Sequence, residues 1–202
     1  MTLQGLYRLK PASQALVAPI ARWLVERRVS PDVVTWAAVP VALSGGICLA
    51  TSATQPALLL VVPVAAAVRL GLNLIDGMVA RQSGATHSLG ELWNELADRL
   101  ADTLFIGGLA FHPAIDPRIA LGAVITALLA SYIGITARAA GARRQYGGPM
   151  SKPGRMGTLA VAAPSTLVTG DPVWLTVGAW VIIAGGIVTG VVRVLAAMCE
   201  LD

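Results

Sequence analysis

Six stretches of this chain are each apolar over roughly the length that crosses a bilayer as a helix, about 20 residues, and little polar sequence separates them. They fall near 33–51, 57–80, 89–111, 119–139, 157–168 with its flanks, and 173–198. The fifth is the weakest, because Pro164 interrupts it and Gly170-Asp171-Pro172 ends it early. Helix breakers mark the connections: Thr54-Gln55-Pro56, residues 82–86, His112-Pro113 with Asp116-Pro117, and residues 147–153. Hydrocarbon offers the backbone no hydrogen bonds, so such runs fold as self-satisfied helices. The expectation is an all-α integral membrane protein with six transmembrane helices, forming one domain over residues 1–202.

Composition removes the alternatives. Charged residues make up 13% of the 202, hydrophobic residues 55%, and the mean hydropathy is +0.70. A soluble domain carries about 25% charged residues, so neither a soluble globule nor a disordered chain fits. Aromatic residues at 5% disfavour a barrel with aromatic girdles. Cys48 and Cys199 lie far apart in or beside apolar runs, which excludes a disulfide scaffold and a cysteine metal site. The net charge of +4 is too small to point to nucleic acid, and basic loops are needed for membrane orientation in any case.

Those basic residues set the topology. Twelve fall on one side of a six-span arrangement, counting the N-terminus, the second and fourth loops and the C-terminus, and only Arg118 falls on the other. Arg69 and Arg99 lie within spans. This asymmetry predicts cytoplasmic termini. Residues 1–30 read as a cytoplasmic or interfacial segment and not as a signal peptide, since Pro11 and Pro19 punctuate them and no compact apolar stretch precedes a cleavage site. Leu16, Ile20, Trp23 and Leu24 can share one face of a short helix lying in the interface. A plain cytoplasmic lead-in is the alternative.

The third run opens with Glu91, Glu95, Asp98, Arg99 and Asp102. Each charge costs about 2.5–3.5 kcal/mol at the centre of a bilayer on insertion scales, so these groups must face a polar cavity or one another. Asn94, Asp98 and Asp102 are spaced i, i+4, i+8 and project from one helix face. Asn73 and Asp76, at i and i+3 near the end of the second run, are neighbours too. Two successive helices thus gather carboxylate and amide oxygens, which hard ions such as Mg²⁺ select. An internal ion-pair network involving Arg81 and Arg99 is one alternative. A cation or proton transporter is another, although its charges should be spread through the membrane depth.

The order Asp76-Gly77-x2-Ala80-Arg81-x8-Gly90-x3-Asn94-x3-Asp98 resembles the signature of the CDP-alcohol phosphotransferase family, D-x2-D-G-x2-A-R-x8-G-x3-D-x3-D. Six of its eight fixed positions match across 26 residues with the spacing intact. Asn73 and Asn94 stand where the family has its first and third aspartates, so an amide replaces a carboxylate at each. This N-x2-D-G…N-E-x2-D form is similar to that of a bacterial branch, in which a stretch like Tyr146-Gly147-Gly148-Pro149-Met150-Ser151-Lys152 also recurs.

The resemblance implies a Mg²⁺-dependent (or Mn²⁺-dependent) enzyme of the bacterial inner membrane. It would transfer a phosphatidyl or other substituted phosphate group from a CDP-linked lipid to an alcohol, releasing CMP. Asp76 and Asp98 would be metal ligands, with Asn73 and Asn94 as amide ligands or neighbours of the ligands, and Asp102 and Glu95 are available substitutes. Asp98 would also be the catalytic base. Gly77 would admit the nucleotide and Arg81 would bind its phosphates. Pro31 and Thr35, in the stretch Ser30-Pro31-Asp32-Val33-Val34-Thr35, fall where the family contacts the nucleotide, as do His87 and Ser88. The family also implies a homodimer, and Gly186-x3-Gly190 would permit close helix packing.

Arg138, Arg143, Arg144, Lys152 and Arg155 form a basic cluster in the fourth loop. They read either as a pocket for an anionic alcohol or lipid phosphate, or as plain topology signal touching anionic headgroups. The competing readings of the whole chain are a non-catalytic paralogue that binds nucleotide or lipid, an ion-coupled transporter, and a membrane prenyltransferase. The last needs two separated Asp-rich motifs.

Overall fold

The structure, a computed structural model, describes residues 10–84 and 88–201. All regular structure among them is helical. In chain order it comprises α1 (Lys10–Glu26), α2 (Pro31–Thr51), α3 (Val61–Ser83), α4 (Ser88–Gly107), α5 (Pro117–Ala139), α6 (Lys152–Thr169) and α7 (Val173–Leu201). Single 3-10 turns at Pro56–Leu60 and Gly108–Phe111 lead into α3 and out of α4.

Helix starts follow local chemistry. Ser30 caps α2 by accepting from the Asp32 N–H at 3.3 Å, with Pro31 at the first helical position. Asp116 does the same for α5 through the Arg118 N–H at 2.8 Å, ahead of Pro117. Helices α3 and α6 stop at Gly84 and Gly170, whose φ of 68° and 71° is the left-handed cap that glycine adopts without strain.

Among the described residues, four stretches are long and apolar enough to cross a bilayer: Pro31–Thr51, Pro56–Ser83, Pro117–Ala139 and Val173–Leu201. Helices α4 and α6, expected as the third and fifth spans, carry the charged residues that the packing gathers inside the bundle. Helix α6 also begins at Lys152, ahead of the expected 157, and runs unbroken through Pro164. Proline removes one backbone donor there, and the helix continues past it.

The packing has two sides. Helix α2 lies between α3 and α4, α5 packs on α7, and α6 fills the space between α3 and α7. A dry core of Leu49, Val62, Phe105, Ile106, Leu159 and Ile182 joins them. Helices α2 and α4 meet almost backbone to backbone. A Cβ on Gly45 would fall 2.5 Å from the Phe105 ring, and one on Gly46 would overlap the Leu104 carbonyl oxygen. Gly186 and Gly190 serve the same purpose within the chain, facing Thr126 and Ile133 of α5. The outer surface inverts the pattern of soluble proteins, with Leu43, Ile47, Val64, Ile125, Trp180 and Ile187 all exposed.

Helix α1 packs on α3 through Ala21, Val17, Leu24 and Val25. Leu16, Ile20 and Trp23 point outward, and Arg27 sits 5.0 Å over the Trp23 ring. Leu24 therefore belongs to the packed face and not, as expected, to the outward one. At i+4 from Ile20 the two could have shared a face, but α1 is rolled so that α3 covers the Leu24 edge.

Candidate active site

The acidic face of α4 turns toward α3 and the start of α6, and there the motif residues meet. Asp76, buried on α3, accepts from Thr35 Oγ1 of α2 at 3.1 Å and from the Gly77 N–H at 2.5 Å. One turn earlier, Asn73 donates its amide to Asp98 Oδ1 at 3.3 Å. The other Asp98 oxygen, Oδ2, pairs with Lys152 Nζ at 2.5 Å. Four helices thus converge on two carboxylates.

Asn94, one turn before Asp98, completes the set. Its Oδ1 is buried and has no hydrogen-bond partner. A buried acceptor without a donor costs about 1–3 kcal/mol, a cost that a cation removes. Among the described residues no three His, Cys, Asp or Glu side chains are grouped to hold a metal. The constellation here is two carboxylates and two amides. Its all-oxygen donors, the orphaned amide oxygen and a carboxylate already drawing a positive charge suit a hard divalent ion.

Asp102 is placed differently from the other acidic residues. It is 1% exposed, and its two oxygens are taken by Arg69 of α3 at 2.7 Å and Arg155 of α6 at 2.6 Å. Arg69 also reaches the Asp98 carbonyl at 3.2 Å, and Arg155 reaches the Met150 carbonyl at 2.9 Å. This expected substitute ligand is thus closed off by two guanidiniums. It ties α3, α4 and α6 together beneath the site.

Beside Asp98 opens a cavity of about 240 Å³. Asn73, Asn94 and Asp98 form one wall. Arg144, Lys152, Arg155, Arg193 and Ser131 form much of the rest. Arg144 stacks over the Tyr146 ring at 4.9 Å and pairs with Glu95, which also holds Arg99 at 2.9 Å. Five basic residues against two acidic ones line the cavity. It attracts anions.

The loop over this cavity is pinned to α7. Arg193 donates to the carbonyls of Gly147 at 2.9 Å, Ala130 at 2.5 Å and Tyr146 at 3.4 Å. Thr189 Oγ1 accepts the Met150 N–H at 2.9 Å. Gly148, at φ 102°, lies so close to Thr189 that a Cβ would fall 2.6 Å from its Cγ2.

The sequence-derived site residues divide accordingly. Asn73, Asp76, Asn94 and Asp98 come together, with Thr35 supporting Asp76, while Arg144, Lys152 and Arg155 reach the cavity. Arg138 lies outside it, paired with Glu91, and Arg143 is 88% exposed beside Glu200 at 3.2 Å. Arg81 is exposed, its guanidinium folded back over Gly77, where a Cβ would lie 3.3 Å from Nη1. Pro31 is the first residue of α2. His87 lies outside the described residues, and Ser88 is described only by its backbone, as the first residue of α4. Sequence reasoning missed Arg69, Ser131 and Arg193 as site residues. The available signal was an arginine inside an apolar helix, which is costly unless paired or functional.

Apolar helices around buried carboxylates and amides, beside a cavity rich in basic residues, mark an all-α membrane protein. The sequence matches the CDP-alcohol phosphatidyltransferase family over residues 28–192, and the chain belongs to that family. Its members are enzymes that transfer a phosphatidyl group from a CDP-linked lipid to an alcohol, using divalent metal.

Two relatives frame the likeness. An inner membrane protein of Escherichia coli, YnbA, is 31% identical over 150 residues, 74% of each chain. The phosphatidylinositol phosphate synthase of Corynebacterium glutamicum is 28% identical over 207 residues, covering 96% of this chain and 88% of that one. The fold matches the phosphatidylinositol phosphate synthase of Mycobacterium tuberculosis with CDP-DAG bound, at a TM-score of 0.74 and 26% identity, over 91% of this chain and 94% of that one. The same enzyme in complex with manganese and citrate also scores 0.74, at 25% identity, over 89% and 88%.

Proposed function

We propose that this chain transfers the phosphatidyl group of CDP-diacylglycerol to a phosphorylated alcohol at the inner leaflet of a bacterial cytoplasmic membrane. The observation that carries the reading is the position of Asp98, on the seam between the acidic-amide constellation and the basic cavity. One of its oxygens faces Asn73 and the other faces Lys152. Asp76 and Asp98, with the Asn73 and Asn94 amides, would hold Mg²⁺ or Mn²⁺, which when bound neutralises phosphoryl charge and stabilises the leaving phosphate.

The chain's own groups supply the rest. Arg81 pairs with the diphosphate, where a guanidinium fork suits phosphate oxygens, and Gly77 leaves room for it. Pro31, Thr35, His87 and Ser88 would contact the nucleotide, as the family resemblance implies. Arg144, Lys152 and Arg155, joined by Arg193 and Ser131, orient the acceptor by its phosphate. Asp98 accepts the proton of the acceptor hydroxyl. The acceptor oxygen bonds to the lipid-side phosphorus, the bond from that phosphorus to the bridging oxygen breaks, and CMP departs with the electron pair. Asp102 orders Arg69 and Arg155 and does not ligate.

Six spans, α2 to α7, with α1 in the interface and both termini cytoplasmic, fit the charge asymmetry and the outward Leu16, Ile20 and Trp23. The homodimer implied by the family resemblance belongs to the same proposal, and chemical crosslinking in membranes checks it. The function is tested with purified protein, CDP-diacylglycerol, Mg²⁺ or Mn²⁺ and a panel of phosphorylated and neutral alcohols. CMP release with a phosphorylated acceptor is expected. CDP binding without CMP release across the panel would make the chain a nucleotide-binding paralogue.

A further inference from the structure

Lys152 is oddly placed for a helix residue. It is the first residue of α6, where the helix dipole disfavours a cation. Its side chain is only 17% exposed. Its direct partner is Asp98, whose Oδ2 lies 2.5 Å from Nζ, and the carboxylates of Asp76 and Asp102 act on it at longer range. The nearby carboxylate of Asp102 is fully engaged by Arg69 and Arg155. Glu95 is engaged by Arg99 and Arg144. Lys152 thus depends on the same oxygen that a metal ligand at Asp98 would offer.

A magnesium ion sits about 2.1 Å from its oxygen ligands. On Asp98 Oδ2 it would meet the Lys152 ammonium at hydrogen-bond distance, and the like charges oppose each other. The other oxygen, Oδ1, already holds the Asn73 amide at 3.3 Å, so turning it outward costs that bond. A displaced Lys152 has one anion-attracting space within reach, the cavity it already lines.

We infer that Lys152 is an exchangeable counter-ion: a divalent ion and Lys152 compete for Asp98, and the released ammonium becomes a phosphate-binding group for the acceptor. The inference rests on the proposed metal role of Asp98 and adds a coupling to it. Coupling of this kind is reciprocal. Metal binding readies the cavity for an anion, and an anion in the cavity draws Lys152 from Asp98. Lys152 is a positioning residue on the metal side and a binding residue on the acceptor side.

The test is Mn²⁺ titration of the detergent-purified protein without lipid or acceptor, with free Mn²⁺ followed by electron paramagnetic resonance. Lys152→Gln removes the competing charge, and Mn²⁺ affinity should rise about tenfold, the worth of one charge-assisted hydrogen bond. Lys152→Arg keeps the competitor and should bind as wild type does, which separates charge from packing. A purely structural lysine would leave affinity unchanged or lower it. Unchanged or weaker Mn²⁺ binding in Lys152→Gln, with wild type saturable, overturns the exchange alone. Absence of saturable Mn²⁺ binding in wild type overturns the metal reading and the exchange with it.

Discussion

Asp102 and Arg155 face each other at 2.6 Å where almost no water reaches, 1% and 2% exposed. Arg69, fully enclosed, holds the other side of the carboxylate. Removing the only anion of such a group leaves two buried cations facing each other. Asp102→Ala should therefore cost about 3–5 kcal/mol, seen as a large drop in thermal midpoint in detergent. A small drop would show that the three groups are not closed off from water.

Asp98→Asn keeps the shape and the Asn73 contact but removes the charge and the proton acceptor. CMP release should fall below about one-thousandth of wild type, combining a lost base with a lost ligand. Retained activity would remove Asp98 from the chemistry.

Thr35 donates to Asp76 across the α2–α3 contact. Thr35→Val deletes that donor with little change in volume. A buried carboxylate losing one hydrogen bond costs about 1–3 kcal/mol, so activity should drop roughly tenfold to a hundredfold, with weaker Mn²⁺ binding measured in parallel.

The basic cluster should divide sharply. Arg143, largely in solvent, should tolerate alanine with a change within about 1 kcal/mol in stability and no change in acceptor KM. Arg144→Ala opens the cavity wall that Glu95 and Tyr146 brace. It should raise acceptor KM while leaving donor KM alone. Steady-state kinetics with each substrate varied distinguishes the two.

Thr189→Val removes the acceptor of the Met150 N–H in the loop that leads into α6 and Lys152. The lost bond costs about 1–3 kcal/mol and loosens the loop. Acceptor KM should rise, and limited proteolysis should cut within residues 140–151 faster than in wild type.

Much of this site could be read from the chain because helices keep strict spacing. Asn73 with Asp76, and Asn94 with Asp98, lie one turn apart, so each pair shares a helix face wherever the helix goes. Spacing could not show how far each helix is rolled. Asp102 follows the same i, i+4 rule as Asp98, yet deeper in the bundle it meets Arg69 and Arg155 and not the site. Arg138 and Arg144 are close in sequence, but α5 ends between them, and its last turn carries Arg138 away from the cavity. The contribution of Arg193 depends on a tertiary contact with the loop carbonyls, which leaves no local pattern beyond a lone arginine among apolar residues. The extent of the spans was blurred for a related reason. Lys152 and Arg155 made the start of α6 look like loop, because their partners Asp98 and Asp102 are distant in sequence.

The backbone contact between α2 and α4 at Gly45, Gly46 and Phe105 has a consequence for the whole reaction. With the Phe105 ring seated on Gly45 and the Leu104 carbonyl on Gly46, the two helices cannot slide along each other without a clash. Thr35, which steadies Asp76, and Asp98 are therefore held at a fixed offset from each other, so the two carboxylates keep their spacing.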